Sequence, residues 1–126
     1  MCINKINGYE QKAIITTEGE HIGWIYLKQI ERLNKHAELG MAIGKEAYWG
    51  KGYGLSAKKE MLIRGFNELE LNKIWLRVEV ANERAIKSYK RMGYIEEGIL
   101  RQDRLRNGEF VDRLRLSILK QEFFNL

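Results

Sequence analysis

The stretch that most constrains this chain is Tyr48-Trp49-Gly50-Lys51-Gly52-Tyr53-Gly54-Leu55-Ser56-Ala57, a glycine-punctuated turn that runs directly into a helix. Glycine at every second position lets the backbone turn tightly and leaves no Cβ between its amides and a ligand. Leu55, Leu62, Phe66 and Leu69 then recur at helical spacing, so the glycines end at a helix N-terminus. Unpaired N–H groups and the positive end of the helix dipole favour an anion there. Read this way, the stretch holds phosphate; the plainer alternative is a tight turn before a helix.

Gly52-x-Gly54-x-x-Ala57 also satisfies the dinucleotide fingerprint, but that pattern requires a preceding buried strand and a second βαβ half. No Gly-Lys pair is followed by Ser or Thr four residues after a first glycine, which excludes a Walker loop.

The chain around the loop is antiparallel first and parallel later. Ala13–Thr17 and His21–Leu27, joined by Glu18-Gly19-Glu20, read as a hairpin. Ala37–Ile43 makes a third strand, and Gly40 and Gly44 mark a bulge or a close backbone approach. After the first helix, Ile74, Leu76, Val78 and Val80 alternate on one face of a strand over Lys73–Val80, reached from the third strand by a helical crossover. A second helix has Asn82 as N-cap, Glu83 in its first turn, Ile86, Tyr89 and Met92 on one face, and Gly93 as its stop. Tyr94–Arg106 and Glu109–Leu119 flank Asn107-Gly108, a strong hairpin signal, with Phe110, Leu114, Leu116 and Ile118 alternating toward a core.

The expected fold is therefore α/β (α+β): a mixed, mostly antiparallel sheet with a central parallel β-α-β crossover and flanking helices. With 126 residues, 44% hydrophobic and 31% charged, the chain reads as a single domain over 1–126, with 1–11 a poorly defined N-terminal segment. No apolar run approaches the ~18 residues of a membrane span, and the start lacks the apolar core of a signal peptide; a cytoplasmic location and no membrane partner are expected. Cys2 alone cannot form an intrachain disulfide, and His21 and His36 give no metal-ligand spacing, so no metal is expected. The net charge of +5 suits an anionic cofactor or a polyanion. Lys58, Lys59 and Arg64 on the first helix, and Arg101, Arg104, Arg106, Arg113 and Arg115 near the end, read mainly as solvated faces. Nucleic-acid binding has no recognisable module behind it.

Four motifs in order carry a resemblance: Glu38-Leu39-Gly-x-x-Ile43-Gly44, Tyr48-Trp49-Gly-Lys-Gly-Tyr-Gly54, Asn82 to Tyr94 with Tyr89 and Gly93, and Asn107-Gly108-Glu109. From about Ala13 to Leu119 the chain resembles the GCN5-related N-acetyltransferase (GNAT) superfamily, in the branch of spermidine and ribosomal-protein N-terminal acetyltransferases. The resemblance implies acetyl-CoA as co-substrate. Its pyrophosphate would lie on the amides of Gly50, Lys51, Gly52, Tyr53, Gly54 and Leu55, beside Trp49. Its pantetheine arm would pair with the main chain of Met41, Ala42 and Ile43, near Asn82. Trp49 stands where the family usually has Gln or Arg, a mild departure if those contacts are main-chain.

Acetyl transfer to an amine needs a deprotonated amine, a stabilised oxyanion and a proton for the departing thiolate. The resemblance gives Tyr89 the role of general acid, where spacing alone reads a core tyrosine. It makes Glu38 the best-placed base, against a solvent-facing strand residue, and a backbone N–H near Met41 to Ile43 the oxyanion donor. Members of the superfamily also carry a strand and two helices ahead of the first hairpin, the helices walling the acceptor pocket; here only Met1–Gln11 precedes it. A natural short form, a shortened chain and a cleft completed by a neighbouring subunit all remain open. The exposed hairpin edge makes a homodimer or larger assembly the expectation. The expected function is N-acetyl transfer to a polyamine, a protein N-terminus or a similar small amine. The alternative is a CoA-binding remnant that acts as a binding or interaction module.

Overall fold

Strands form where β-branched and apolar residues alternate, and helices where apolar residues return every third or fourth position. The computed structural model describes residues 3–6, 9–16, 18–44 and 52–125, with side chains from Tyr9 onward. In chain order these form β1 (Ile3–Ile6), β2 (Tyr9–Ile15), β3 (His21–Glu31), β4 (His36–Ile43), α1 (Tyr53–Asn67), β5 (Lys73–Glu79), α2 (Glu83–Arg91), β6 (Ile95–Arg106), β7 (Glu109–Leu119) and α3 (Lys120–Phe124). The architecture is mixed α/β, with a mostly antiparallel sheet that includes one parallel pair. Residues 1–74 and 75–126 form two compact units.

In the first unit β1, β2, β3 and β4 pair antiparallel in that order. The segment 1–11, from which sequence patterning gave no element, thus holds β1 and the start of β2. Four residues of β1 are too few to show a periodicity, and only pairing with β2 defines them. Ile25 and Leu27 of β3, Ala37 of β4, and Met61, Leu62 and Phe66 of α1 lose essentially all solvent contact, giving this unit its core. A Cβ on Gly65 would come 2.7 Å from Ile74 Cδ1 and 3.3 Å from Leu27 Cδ1; the missing side chain lets α1 sit close to the sheet. Leu55 is 42% exposed and Leu69 lies beyond the end of α1, so the apolar face of the helix is narrower than its spacing implied.

Gly40 is neither a bulge nor a close approach of backbone: a side-chain ring takes the space of its missing Cβ. Its register with β3 runs unbroken from Gly23–Ile43 to Lys28–Glu38, and the Tyr26 ring lies where a Gly40 Cβ would project, 2.2 Å from that point at its nearest atom. The irregularity in this ladder falls elsewhere, between Lys28 and Glu31.

In the second unit β7 lies between β5 and β6. Leu76, Val78, Met92, Tyr94, Leu114, Leu116 and Ile118 form its buried apolar set. Asn82 caps α2 by accepting from the Ala85 N–H at 3.3 Å, and Gly93 follows the helix at φ 102°, a left-handed angle that glycine adopts without strain. Asn107 and Gly108 both have positive φ, 49° and 82°, the pattern of the tight turn whose twist matches flanking strands. Two expected core residues are exposed instead: Phe110 at 63% and Val80 at 40%. Phe110 is the second residue of β7, opposite Leu105, itself 60% exposed. Alternation assigns a face, but near this hairpin tip the face covers no core.

The β6–β7 ladder also carries an irregularity that the sequence did not announce. Leu100 pairs with Arg113 and Arg104 with Val111, so three residues of β6 stand opposite Asp112 alone. Gln102 takes φ 47° within it, and its N–H donates to Asp112 Oδ1 at 2.7 Å. The extra length re-aims Asp103 and the strand after it.

Candidate active site

In the first unit the glycine stretch ends as expected at a helix start. Trp49, Gly50 and Lys51 lie outside the described residues. Gly52 is the N-cap of α1 with φ 88°, its carbonyl accepting the Ser56 N–H at 3.0 Å. A Cβ on Gly52 would meet nothing within 4 Å. Tyr53, Gly54 and Leu55 form the first helical turn, whose N–H groups have no partner within the helix. Gly54 has ordinary helical backbone within α1. A Cβ there would come 2.9 Å from Met41 Cε and 3.6 Å from Ile43 Cδ1. The fold therefore brings three of the expected residues together: Gly54 of α1 and Met41 and Ile43 of β4. Lys58, one turn further along α1, is half-buried, and burial pulls its ammonium pKa down.

The main chain of β4 alternates in direction. The Gly44 N–H donates to Ile22 O at 2.9 Å, so along an antiparallel ladder Ala42 turns its N–H to β3, while Met41 and Ile43 turn theirs away. Of the three residues expected to meet an extended arm, two thus present main chain on the far side of β4. Glu38 is 4% exposed, not solvent-facing, and its Oε1 lies 3.7 Å from Lys28 Nζ.

In the second unit Asn82 and Tyr89 share α2. The Asn82 side chain serves the cap, so any ligand contact it makes adds to a structural duty. Tyr89 packs edge-on against Tyr94, with ring centroids 5.6 Å apart and planes at 63°. Burial pushes the Tyr89 phenol pKa up, which keeps its proton in place at neutral pH, the state a proton donor needs. Tyr94 is pushed up further by burial, with Tyr89 adding to the effect, and its hydroxyl is buried with no hydrogen-bond partner among the described residues.

Sequence reasoning missed a cavity of about 460 Å³ where β5 runs into α2, lined by Arg77, Glu79, Asn82, Arg104, Arg106 and Arg113 among others. The i, i+2 spacing of Arg104 and Arg106 put them on one strand face. Nothing in the sequence tied that face to Glu79, 25 residues earlier in the chain from Arg104.

Residues 3–95 match the family model of the acetyltransferase (GNAT) domain, and the chain belongs to that family. It is 32% identical over 114 residues to the spermidine N(1)-acetyltransferase of Escherichia coli (strain K12), covering 90% of this chain and 61% of that protein. It is 31% identical over 105 residues to the ribosomal-protein-serine acetyltransferase of the same strain, covering 83% and 58%. Its fold is similar to the spermidine/spermine N-acetyltransferase SpeG from Vibrio cholerae, solved in complex with manganese ions, with TM-score 0.89, 29% identity, and 94% of this chain and 69% of that one covered. The chain spans about three fifths of the length of the curated relatives it matches. Among the described residues no helix is long and apolar enough to cross a membrane, and no cluster of His, Cys, Asp or Glu could hold a metal ion.

Proposed function

We propose that this chain is the acetyl-CoA binding domain of a cytoplasmic N-acetyltransferase that transfers acetyl to a primary amine by direct attack. The observation that carries the reading is the meeting of Gly54, in the first turn of α1, with Met41 and Ile43 of β4, behind an N-cap glycine at φ 88°. A glycine-capped helix start packed beside β4 suits a phosphate followed by an extended amide-bearing arm.

Within this reading the amides from Gly50 to Leu55 hold the pyrophosphate, and Met41 and Ile43 pair with the arm. A β4 N–H stabilises the oxyanion formed when the amine adds to the thioester carbonyl. Glu38, buried beside Lys28, accepts the amine proton through water. As the carbon–sulfur bond breaks, Tyr89 donates its phenolic proton to the leaving thiolate. Spermidine and a ribosomal-protein serine, the acceptors named for its relatives, are the acceptor classes to try first.

Calorimetric titration with acetyl-CoA, followed by a thiol-release assay over polyamines, amino acids and peptides, tests the reading. Binding with thiol release on at least one amine supports it, and no binding sinks it. Tight binding without release on any amine favours the second reading, a CoA-binding module without turnover.

A further inference from the structure

Two arginine clusters meet at the cavity of the second unit. Glu79 accepts from Arg104 Nη1 at 3.1 Å and from Arg106 Nη1 at 2.8 Å. Asp103, thrown out by the β6 irregularity, accepts from Arg77 Nη1 at 3.2 Å and from Arg113 Nε at 2.8 Å. Each carboxylate serves two guanidiniums, and the Glu79 cluster with Arg104 and Arg106 carries one positive charge in excess. The neighbouring Arg101 and Asp112 line a separate depression and cancel each other. Arginine has five N–H donors in a planar fork. Arg104 and Arg106 each give Glu79 one of theirs, and both side chains stay more than half exposed, at 53% and 59%. The excess positive charge attracts an anion, and the fork matches a carboxylate bidentately.

Resting on the acetyltransferase reading, we infer that this cavity is an oxyanion subsite that receives a carboxylate of the acceptor, so that the acceptor is an acidic peptide amino terminus and not a polyamine. Asn82 at the start of α2 lines the cavity, and Tyr89 lies seven residues further along the helix. At 1.5 Å per residue that is roughly 10 Å, a distance that about three extended residues span. A peptide with its amine at Tyr89 therefore brings the side chain of its third or fourth residue to the arginines. A polyamine offers only cations to a cavity whose Glu79 cluster already carries a positive charge in excess.

The test is calorimetric titration of the whole chain with a tetrapeptide acidic at its third and fourth positions, with its amide counterpart, and with spermidine. Thiol release is measured in parallel. The acidic peptide is expected to bind at least about tenfold more tightly than the amide form, the scale of one charge-assisted hydrogen bond. That preference is expected to collapse in Arg104→Gln/Arg106→Gln, whose folding is checked by a cooperative melt. If the double variant does not fold, Arg104→Gln alone leaves Arg106 on Glu79 and is expected to reduce the preference about threefold.

Equal affinity for the two peptides, a preference that survives the substitutions, or tighter binding of spermidine overturns the inference. Displacement of the acidic peptide by saturating acetyl-CoA also overturns it, because the cavity would then serve the cofactor's phosphates. A charge preference that depends on Arg104 and Arg106, with no thiol release from any amine, upholds the subsite while the acetyltransferase reading fails.

Discussion

Arg64 Nε and Nη2 donate to the two oxygens of the Glu10 carboxylate at 2.8 and 2.9 Å, joining the last turn of α1 to the start of β2. Both side chains are almost completely buried, at 8% and 5% exposed, and Arg64 also donates to Glu68 one turn along. The hydrogen bonds to Glu10 hold the guanidinium pKa above its ordinary range. Far from being a solvated helix residue, Arg64 is a buried ionic link within the first unit.

Glu10→Ala leaves the Arg64 charge buried without its main partner and is expected to cost about 3–5 kcal/mol. Replacing both by apolar residues of similar volume, Glu10→Leu with Arg64→Met, is expected to recover most of that loss. Urea unfolding of the two single variants and the double variant measures the coupling. If each single substitution costs under about 1 kcal/mol, the pair does not link the elements as described.

Tyr89→Phe keeps the ring that packs against Tyr94 and removes only the hydroxyl. Turnover is expected to fall by about two to four orders of magnitude, in kcat and with little change in KM for acetyl-CoA. Because burial raises the Tyr89 pKa above 10.0, loss of the protonated donor limits wild-type kcat only at pH above that value. A variant with wild-type kcat would leave Tyr89 as a packing residue.

Tyr94→Phe removes a buried hydroxyl that has no partner among the described residues, so stability at neutral pH is expected to be unchanged or to rise by about 1 kcal/mol. The sign of the pH effect follows from linkage. The folded pKa is raised above the unfolded 10.0, so the stability is intact below pH 10 and is lost as the unfolded phenol ionises above it. The phenylalanine variant should show a shallower alkaline decline in denaturation midpoint; an unchanged slope counts against it.

Gly52→Val places a β-branched residue at φ 88° and a side chain beside the helix-start amides. Acetyl-CoA affinity is expected to drop at least about tenfold, corresponding to one lost charge-assisted hydrogen bond. Gly54→Ala works through packing instead, because its Cβ would press on the flexible end of Met41. Isothermal titration of both variants compares them, and undiminished affinity in a folded Gly52→Val protein would refute the phosphate role.

Ile99, Leu105 and Phe110 of the β6–β7 ribbon are each more than half exposed, while pairing with β1 covers the β2 edge. The expected homodimer or larger assembly therefore rests on this ribbon, not on the first hairpin. Light scattering at micromolar concentration is expected to give at least twice the monomer mass, with Leu105→Ser/Phe110→Ser reducing it. A monodisperse wild-type monomer argues against assembly.

Local signals carried much of this protein. The cap at Asn82, the stop at Gly93, the turn at Asn107-Gly108 and the glycine start of α1 were legible because each depends on backbone angles and hydrogen bonds within a few residues. The alternation of Ile74, Leu76 and Val78 likewise fixed a buried face, because a strand has only two. What sequence could not supply were relationships between residues far apart in the chain. Glu10 and Arg64, 54 positions apart, look like two ordinary surface charges until folding buries them together. Glu79 and the four arginines line one cavity, with Asp103 holding two of those arginines from the stretch where three residues of β6 stand opposite one of β7. Exposure of Phe110 and Val80, and burial of Glu38, were decided the same way. Periodicity assigns a side chain to a face, but which face is covered depends on what the rest of the chain packs against it.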